Sequence, residues 1–275
     1  RSYVVAGQQG VSDPIGMSAV RLEVDTNIVT ASTTSVQNLT KCVQRAGIEI
    51  EELVLAPLAA AEAVLTEEDR ELGVALVDIG GDTTDVAIFQ EGTIAHATTI
   101  PMGARSVTSD LGLLLRVSPE VAENIKVRQG TALPLEIDPD EVIQITSIGE
   151  DGPRPVTRRH VAQIIEARST ELLDHVARAI DAAGATNRLQ AGLVLTGGGA
   201  LLHGVARAAR DQLGVAARVV SPTGVGGLVD TVSTPPYATA SGLLLWGARS
   251  GAAEADRRGG GSALDGLGGR LRKLF

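Results

Sequence analysis

The chain is 275 residues long and 44% hydrophobic, with 24 Lys/Arg against 33 Asp/Glu and a formal net charge of −9. That balance disfavours a nucleic-acid binder, and the few aromatics (Tyr3, Phe89, Tyr237, Trp246, Phe275) provide no stacking platform for single strands. A single cysteine, Cys42, excludes disulfide frameworks and cysteine-based zinc sites, and no apolar run nears the roughly 18 residues of a membrane-spanning helix.

An intracellular, soluble protein of mixed α/β character is expected, with about two domains by length. Charge is uneven: from Arg249 to Phe275 six Arg/Lys stand against three Asp/Glu, a surplus of +3 that leaves −12 on the rest. The opening Arg1-Ser2-Tyr3-Val4 has no initiator Met and reads as the middle of a fold.

In chain order, residues 20–31 alternate and carry many β-branched residues, which predicts strands. Val36, Leu39, Val43 and Ala46 have helical spacing, and Gly47 suits a helix C-terminus. Cys42 sits on that helix's apolar stripe and is expected in the core. Leu53–Ala56 reads as a short strand, Ala59–Leu65 as a helix and Thr66–Gly73 as a polar break.

Val74–Asp78 (VALVD) is uniformly apolar up to its last residue, as in a strand buried on both faces. The strand Val86–Phe89, the turn Glu91-Gly92 and a further strand predict a meander. Ser118 and Pro119 cap the start of a helix that Gly130 ends. Short strands fill 131–156, and Thr157 opens a long amphipathic helix. Gly192–Thr196 (GLVLT) is a second apolar strand, followed by three glycines and a helix ending near Gly214. Beyond Trp246 the composition is that of a linker.

Two apolar strands thus run into glycine-rich turns, DIGGDTTD (Asp78–Asp85) and LTGGGALLHG (Leu195–Gly204). Backbone amides surround a phosphate only where no side chain blocks the approach. Thr83 and Thr84 offer hydroxyls, and Asp78 at a strand's carboxyl end suits a hydrated Mg²⁺ or an oriented water. A triple glycine alone is more often a tight turn. A strand, not a helix, follows the first loop, which excludes a P-loop and a Rossmann fingerprint. The pair of motifs, strand–GGxTT–strand and strand–GGG–helix, is narrower and resembles the actin/Hsp70/hexokinase ATPase superfamily. Glu123 and Lys126 form an i,i+3 pair on one helix face, a common surface feature. The four histidines show no ligand spacing and are expected to be structural or superficial.

Within that superfamily the segments TASTTSVQNLTKCVQRAG, LTEEDRELGVALVDIGGDTTDVAIF, IPMGARSVTSDLG, AENIKVRQG, LVLTGGGALLHG and YATASGLLLWG are similar to the bacterial cell-division FtsA family. The resemblance runs from about residue 15 to 247 and extends through the tail. It implies an α/β, actin-like (ribonuclease H-like) ATPase fold. Residues 1–55 would form the family's inserted subdomain, 56–72 the return of the first actin-like domain, and 73–109 the phosphate hairpin of the second. Residues 110–188 would form its outer subdomain, 189–234 its adenosine loop, and 235–248 the closing helix. A linker, 249–262, and an amphipathic helix, 263–275, would complete the chain.

The resemblance also implies ATP and Mg²⁺ as ligands. Asp78, Gly80, Gly81, Thr83 and Thr84 would face the phosphates and a water-coordinated Mg²⁺, with Asp78 the one catalytic candidate. Glu123 and Lys126 would face the ribose, and Gly197, Gly198 and Gly199 the adenosine. Asp82 stands where the family usually has a third glycine. The family's first phosphate hairpin has no counterpart after Arg1, so half of an ATP cleft is expected. Implied partners are further copies in a filament, the FtsZ C-terminal peptide, other division proteins and anionic lipid, at the cytoplasmic face of the membrane at the division site. The protein would be at most a weak ATPase.

Leu264, Leu267, Leu271, Leu274 and Phe275 fall within an arc of roughly 100° on a helix. Arg270, Arg272 and Lys273 point away from it, the pattern of an interfacial helix suited to anionic lipid. Gly266, Gly268 and Gly269 each cost about 1 kcal/mol of helix propensity, so folding on the bilayer is expected. The other readings are a kinase of the same superfamily and a PilM-like pilus-assembly adaptor. A kinase has no use for the cationic tail, and IKVRQG, SVTSDLG and the terminal helix favour FtsA over the adaptor.

Overall fold

The computed structural model describes residues 2–11, 14–26, 28–226 and 232–257. Its centre is a five-stranded sheet of β4 (Val74–Ile79), β5 (Thr84–Gln90), β6 (Thr93–Ile100), β9 (Gly192–Thr196) and β10 (Ala217–Val219), ordered β10-β9-β4-β5-β6. β10, β9 and β4 are parallel, while β4-β5-β6 is an antiparallel meander. Glu91 and Gly92, both at positive φ (50° and 74°), make the tight turn whose twist matches the flanking strands.

Burial on both faces explains why β4 and β9 are apolar apart from Asp78 and Thr196 near their carboxyl ends. Ala75, Val77 and Ile79 pack with Leu193 and Leu195 against α6 (Arg158–Ala182) and α7 (Val205–Leu213). Val74, Leu76 and Val194 face the other way, onto α2 (Ala56–Val64) and the start of α8 (Ala238–Arg257). There small residues bring two helices together: a Cβ on Gly242 would overlap the Ala59 carbonyl. Beside these layers a third cluster joins α4 (Ala104–Leu115), α5 (Pro119–Gln129), the N-terminal part of α6 and the hairpin β7–β8 (Val142–Ile145, Arg154–Thr157). The caps read from sequence form: Ser118 Oγ accepts from the Val121 amide and Thr157 Oγ1 from the His160 amide.

The N-terminal region carries a small antiparallel sheet, β2-β1-β3, of β1 (Ser2–Val5), β2 (Gln8–Val11) and β3 (Leu22–Asp25), followed by α1 (Thr33–Arg45).

Several expectations need correction. Residues 20–31 yield one strand, Leu22–Asp25, among the described residues. Cys42 is exposed, and α1 has no buried residue: its stripe has the right period, but burial depends on what covers the stripe. Residues 53–55 form no strand, and the alanine-rich helix starts at Ala56, where Leu55 is still extended and makes no side-chain cap and Pro57 suits the first turn. The polar break is a helix, α3 (Glu67–Leu72), started by a reciprocal cap in which Thr66 and Asp69 each accept the other's amide at 3.1 Å. The helix α4 was not read from the sequence at all. Finally, α8 continues to Arg257 through the first part of the expected 249–262 linker. Arg249 pairs with the nearly buried Glu62 of α2 at 2.7 Å, and Ala252, Ala253, Glu254 and Ala255 are good helix formers. The linker's remainder and the tail helix expected over 263–275 lie outside the described residues. No helix of the described residues is long and apolar enough to cross a membrane.

Candidate functional site

Parallel pairing of β4 with β9 sets Asp78 beside Thr196, so both glycine loops leave the sheet at the same end. In the first, Ile79 pairs with Thr84, and the Gly80 amide donates to the Thr83 carbonyl at 2.9 Å. The Gly80 and Gly81 carbonyls are taken by the first amides of α4, from Ala104 at 2.9 Å and Arg105 at 2.8 Å. Gly103 permits this approach, since a Cβ there would lie 2.5 Å from the Gly81 carbonyl oxygen. With its carbonyls turned inward, the loop leaves the amides of Gly81, Asp82 and Thr83 without a hydrogen bond among the described residues. All three residues are exposed.

The second loop packs tightly on the first strand. Gly197 has φ 81°, and a Cβ on it would overlap Asp78 Oδ1 and sit 2.5 Å from the Ile79 carbonyl. A Cβ on Gly199 would overlap the Ile79 side chain. Between the loops, α4, α5 and α6 lies a cleft of about 690 Å³, in the range that takes a small ligand or cofactor. Gly80, Gly81, Glu123, Lys126, Gly198 and Gly199 line it.

The remaining sequence-predicted residues sit behind or beside that lining. Asp78 is half-buried, and its Oδ2 accepts from Thr239 of α8 at 2.9 Å. Burial raises its pKa above the usual carboxylate value; the Thr239 hydroxyl opposes the rise and the Asp85 charge adds to it. Thr84 needs correction as a phosphate-facing residue: it is fully buried, and its hydroxyl donates to the Met102 carbonyl at 2.8 Å. Side chains alternate along a strand, and at this position the side chain points inward. Asp82 is held by Arg105, with Nη1 to Oδ1 at 3.0 Å.

Glu123 and Lys126 are more than a surface pair. Lys126 Nζ reaches the Ala104 carbonyl (3.2 Å), Thr108 Oγ1 (2.9 Å) and Glu123 Oε2 (2.7 Å), so it braces α5 against the start of α4. Burial would raise the Glu123 pKa, but hydrogen bonds from Lys126 and Thr108, with the Lys126 and Arg105 charges, hold it below the usual range. Sequence reasoning missed Arg105 and Thr108, although Val107, Leu111 and Leu115 show the spacing of their helix. It also missed His203, which lines the cleft, with Nδ1 2.9 Å from Thr131 Oγ1. Pairing with a residue 72 positions away leaves no local signal.

The residues fit a nucleotide: the amides of Gly81, Asp82 and Thr83 make no hydrogen bond among the described residues, glycines leave room, and the Glu123 carboxylate lines the same cleft. For a metal the fit is narrower. Among the described residues no three His, Cys, Asp or Glu gather to hold an ion, and Asp78 suits only a water-mediated one.

The family model for the cell division protein FtsA matches residues 75–242, and that for the SHS2 domain inserted in FtsA matches residues 1–30. The chain is 41% identical to FtsA of Pseudomonas aeruginosa, with 90% of this chain and 59% of the relative aligned. It is 38% identical to FtsA of Escherichia coli K12 (100% and 69%) and 40% identical to that of Bacillus subtilis (91% and 56%). The chain thus spans roughly three-fifths of the length of these relatives. Among solved structures it is similar to MreB5 of Spiroplasma citri bound to ADP, with TM-score 0.65 and 17% identity over 84% of this chain and 69% of that one. It is also similar to a PilM–PilN type IV pilus biogenesis complex, with TM-score 0.59 and 19% identity over 77% of this chain and 57% of that one. These likenesses establish an actin-like fold.

Proposed function

The chain belongs to the FtsA family, and from that premise we propose that it is an actin-like, ATP-binding division protein that polymerises and ties the FtsZ ring to the cytoplasmic face of the membrane. The observation that carries the nucleotide part is the convergence of both glycine loops on one cleft, beside a hairpin whose Gly81, Asp82 and Thr83 amides make no hydrogen bond among the described residues. The fold relative MreB5, solved with ADP, is consistent with this reading.

In the bound state those three amides and Gly80 would hold the phosphates, Glu123 would accept from a ribose hydroxyl, and Gly198 and Gly199 would border the adenosine. Lys126 would keep Glu123 ionised and oriented. Asp78 would hold a hydrated Mg²⁺, whose contribution is to neutralise phosphate charge. The hydrogen bond from Thr239 occupies one of its carboxylate oxygens and opposes its basicity, in keeping with a protein whose main role is structural rather than hydrolytic.

Membrane attachment rests on the sequence pattern of Leu264, Leu267, Leu271, Leu274 and Phe275 flanked by Arg270, Arg272 and Lys273. One short helix of this kind binds weakly, so durable attachment comes from many tails on one filament. Flotation with anionic liposomes tests it: the full chain floats and carries FtsZ with it, and a chain truncated after 263 does not. Equal flotation of both would overturn the tether, and loss of FtsZ without loss of flotation would overturn the ring connection.

A further inference from the structure

A carboxylate on the phosphate hairpin is an obstacle to the function proposed above. Asp82 lies between Gly81 and Thr83, in a loop whose amides at 81–83 make no hydrogen bond among the described residues, and its charge repels an anion those amides would bind. The structure supplies one partner for it, Arg105 Nη1 at 3.0 Å. Both side chains are about two-thirds exposed (67% and 69%), and an ion pair so exposed is weakly held.

Three Lys/Arg side chains line the cleft among the described residues: Arg105, Lys126 and Arg168. Lys126 has all three donors engaged by Ala104, Thr108 and Glu123. Arg168 is held through two nitrogens by Asp110 (2.6 and 2.9 Å) and through a third by Glu171 (2.7 Å). Arg105 alone has a single exposed partner. Its backbone is fixed to the hairpin by the bond to the Gly81 carbonyl, and among the described residues, Gly81 and its chain neighbours aside, its Nη2 is the only atom within 4 Å of where a Cβ on Gly81 would stand. The guanidinium therefore hangs over the loop's open side.

Resting on the nucleotide reading, we propose that Arg105 is a phosphate-binding residue of this cleft and that Asp82 competes with the nucleotide for it. Without ligand, Asp82 and Arg105 neutralise each other. A polyphosphate, with more charge and a geometry that accepts two parallel N–H donors, takes the guanidinium over. The hairpin can then carry a carboxylate and still bind an anion. Selectivity for nucleotide over nucleoside falls mainly on Arg105, since the other two cations stay where they are.

Titration calorimetry of the full chain with ATP, ADP and adenosine tests this on wild type, Arg105→Ala, Asp82→Ala and the double variant. Arg105→Ala loses ATP and ADP affinity by about tenfold or more and leaves adenosine unchanged, because a charge-assisted contact is lost while the base and ribose contacts remain. Asp82→Ala binds ATP more tightly, by roughly threefold or more, since both the repulsion and the competitor are gone. The double variant falls between Arg105→Ala and wild type, as removal of an uncompensated carboxylate restores part of the loss. Unchanged ATP affinity in Arg105→Ala overturns the proposal, as does a weaker Asp82→Ala or an equal loss for adenosine. Wild-type chain that binds none of the three ligands overturns the nucleotide reading itself, a result distinct from the others.

Discussion

In the loop after β9 a methyl group on Gly197 would overlap Asp78 and one on Gly199 would overlap Ile79, whereas in the loop after β4 a methyl on Gly81 meets nothing nearer than Arg105 Nη2 at 3.9 Å. Gly198 is equally open, with Pro236 4.0 Å away. Both loops are glycine-rich, but for two reasons. Gly197 and Gly199 are demanded by the chain itself, so that β9 can leave the sheet hard against β4. The space at Gly81 and Gly198 is demanded by nothing in the described chain and opens on the cleft. Glycines held by packing should govern stability, and those facing the cleft should govern binding.

The sharpest way to break that distinction is Gly197→Ala. Overpacking against Asp78 and a left-handed φ of 81° together cost about 4 kcal/mol. Thermal unfolding should fall by about 10 °C; a melting point within a degree or two of wild type would show that the loop is not pinned to β4. Gly199→Ala has no φ penalty and should lose about 2 kcal/mol by the same measurement, because Cγ2 and Cβ of Ile79 must move and its carbonyl oxygen is crowded at 3.1 Å.

Asp78→Asn comes next and reads the packing from the other side. The folded pKa of Asp78 is raised from 3.8, so its stabilising contribution is greatest below that value and is lost as pH rises through the folded pKa. Denaturant midpoints of the Asn variant should therefore gain on wild type over the window that opens as pH rises above 3.8. A constant difference across that window would contradict a buried, desolvated carboxylate. The smallest stability effect belongs to Gly81→Ala, within about 0.5 kcal/mol of wild type. The same variant should bind ATP about tenfold or more weakly in titration calorimetry, since the methyl stands where the phosphates approach. If it unfolds early and still binds, the assignment of the two glycine classes is reversed.

Much of this was legible in the residues. Strands buried on both faces, such as β4 and β9, announce themselves by near-uniform apolarity, and α5 and α6 by Ser118-Pro119 and Thr157. The glycine loops were visible too, but their division of labour was not, because it depends on which strand lies alongside. α4 escaped notice although it bears Arg105 and Thr108: its start is fixed by the carbonyls of Gly80 and Gly81, a long-range contact. Thr84 looked like a phosphate ligand until the strand's alternation turned it towards Met102. α1 shows the converse case, a periodic apolar face that the described chain leaves exposed around Leu39 and Cys42. Periodicity reports which residues share a face, while burial requires a second surface.

The most direct measurement of the central claim, that the two loops form one nucleotide site, is hydrogen–deuterium exchange of the full chain with and without ATP and Mg²⁺. Amides in 80–83, 104–108 and 198–203 should slow together on addition of nucleotide, while those of 33–45 in α1 keep their rate. Unchanged exchange at 80–83, or slowing spread evenly over the chain and α1 alike, would contradict it.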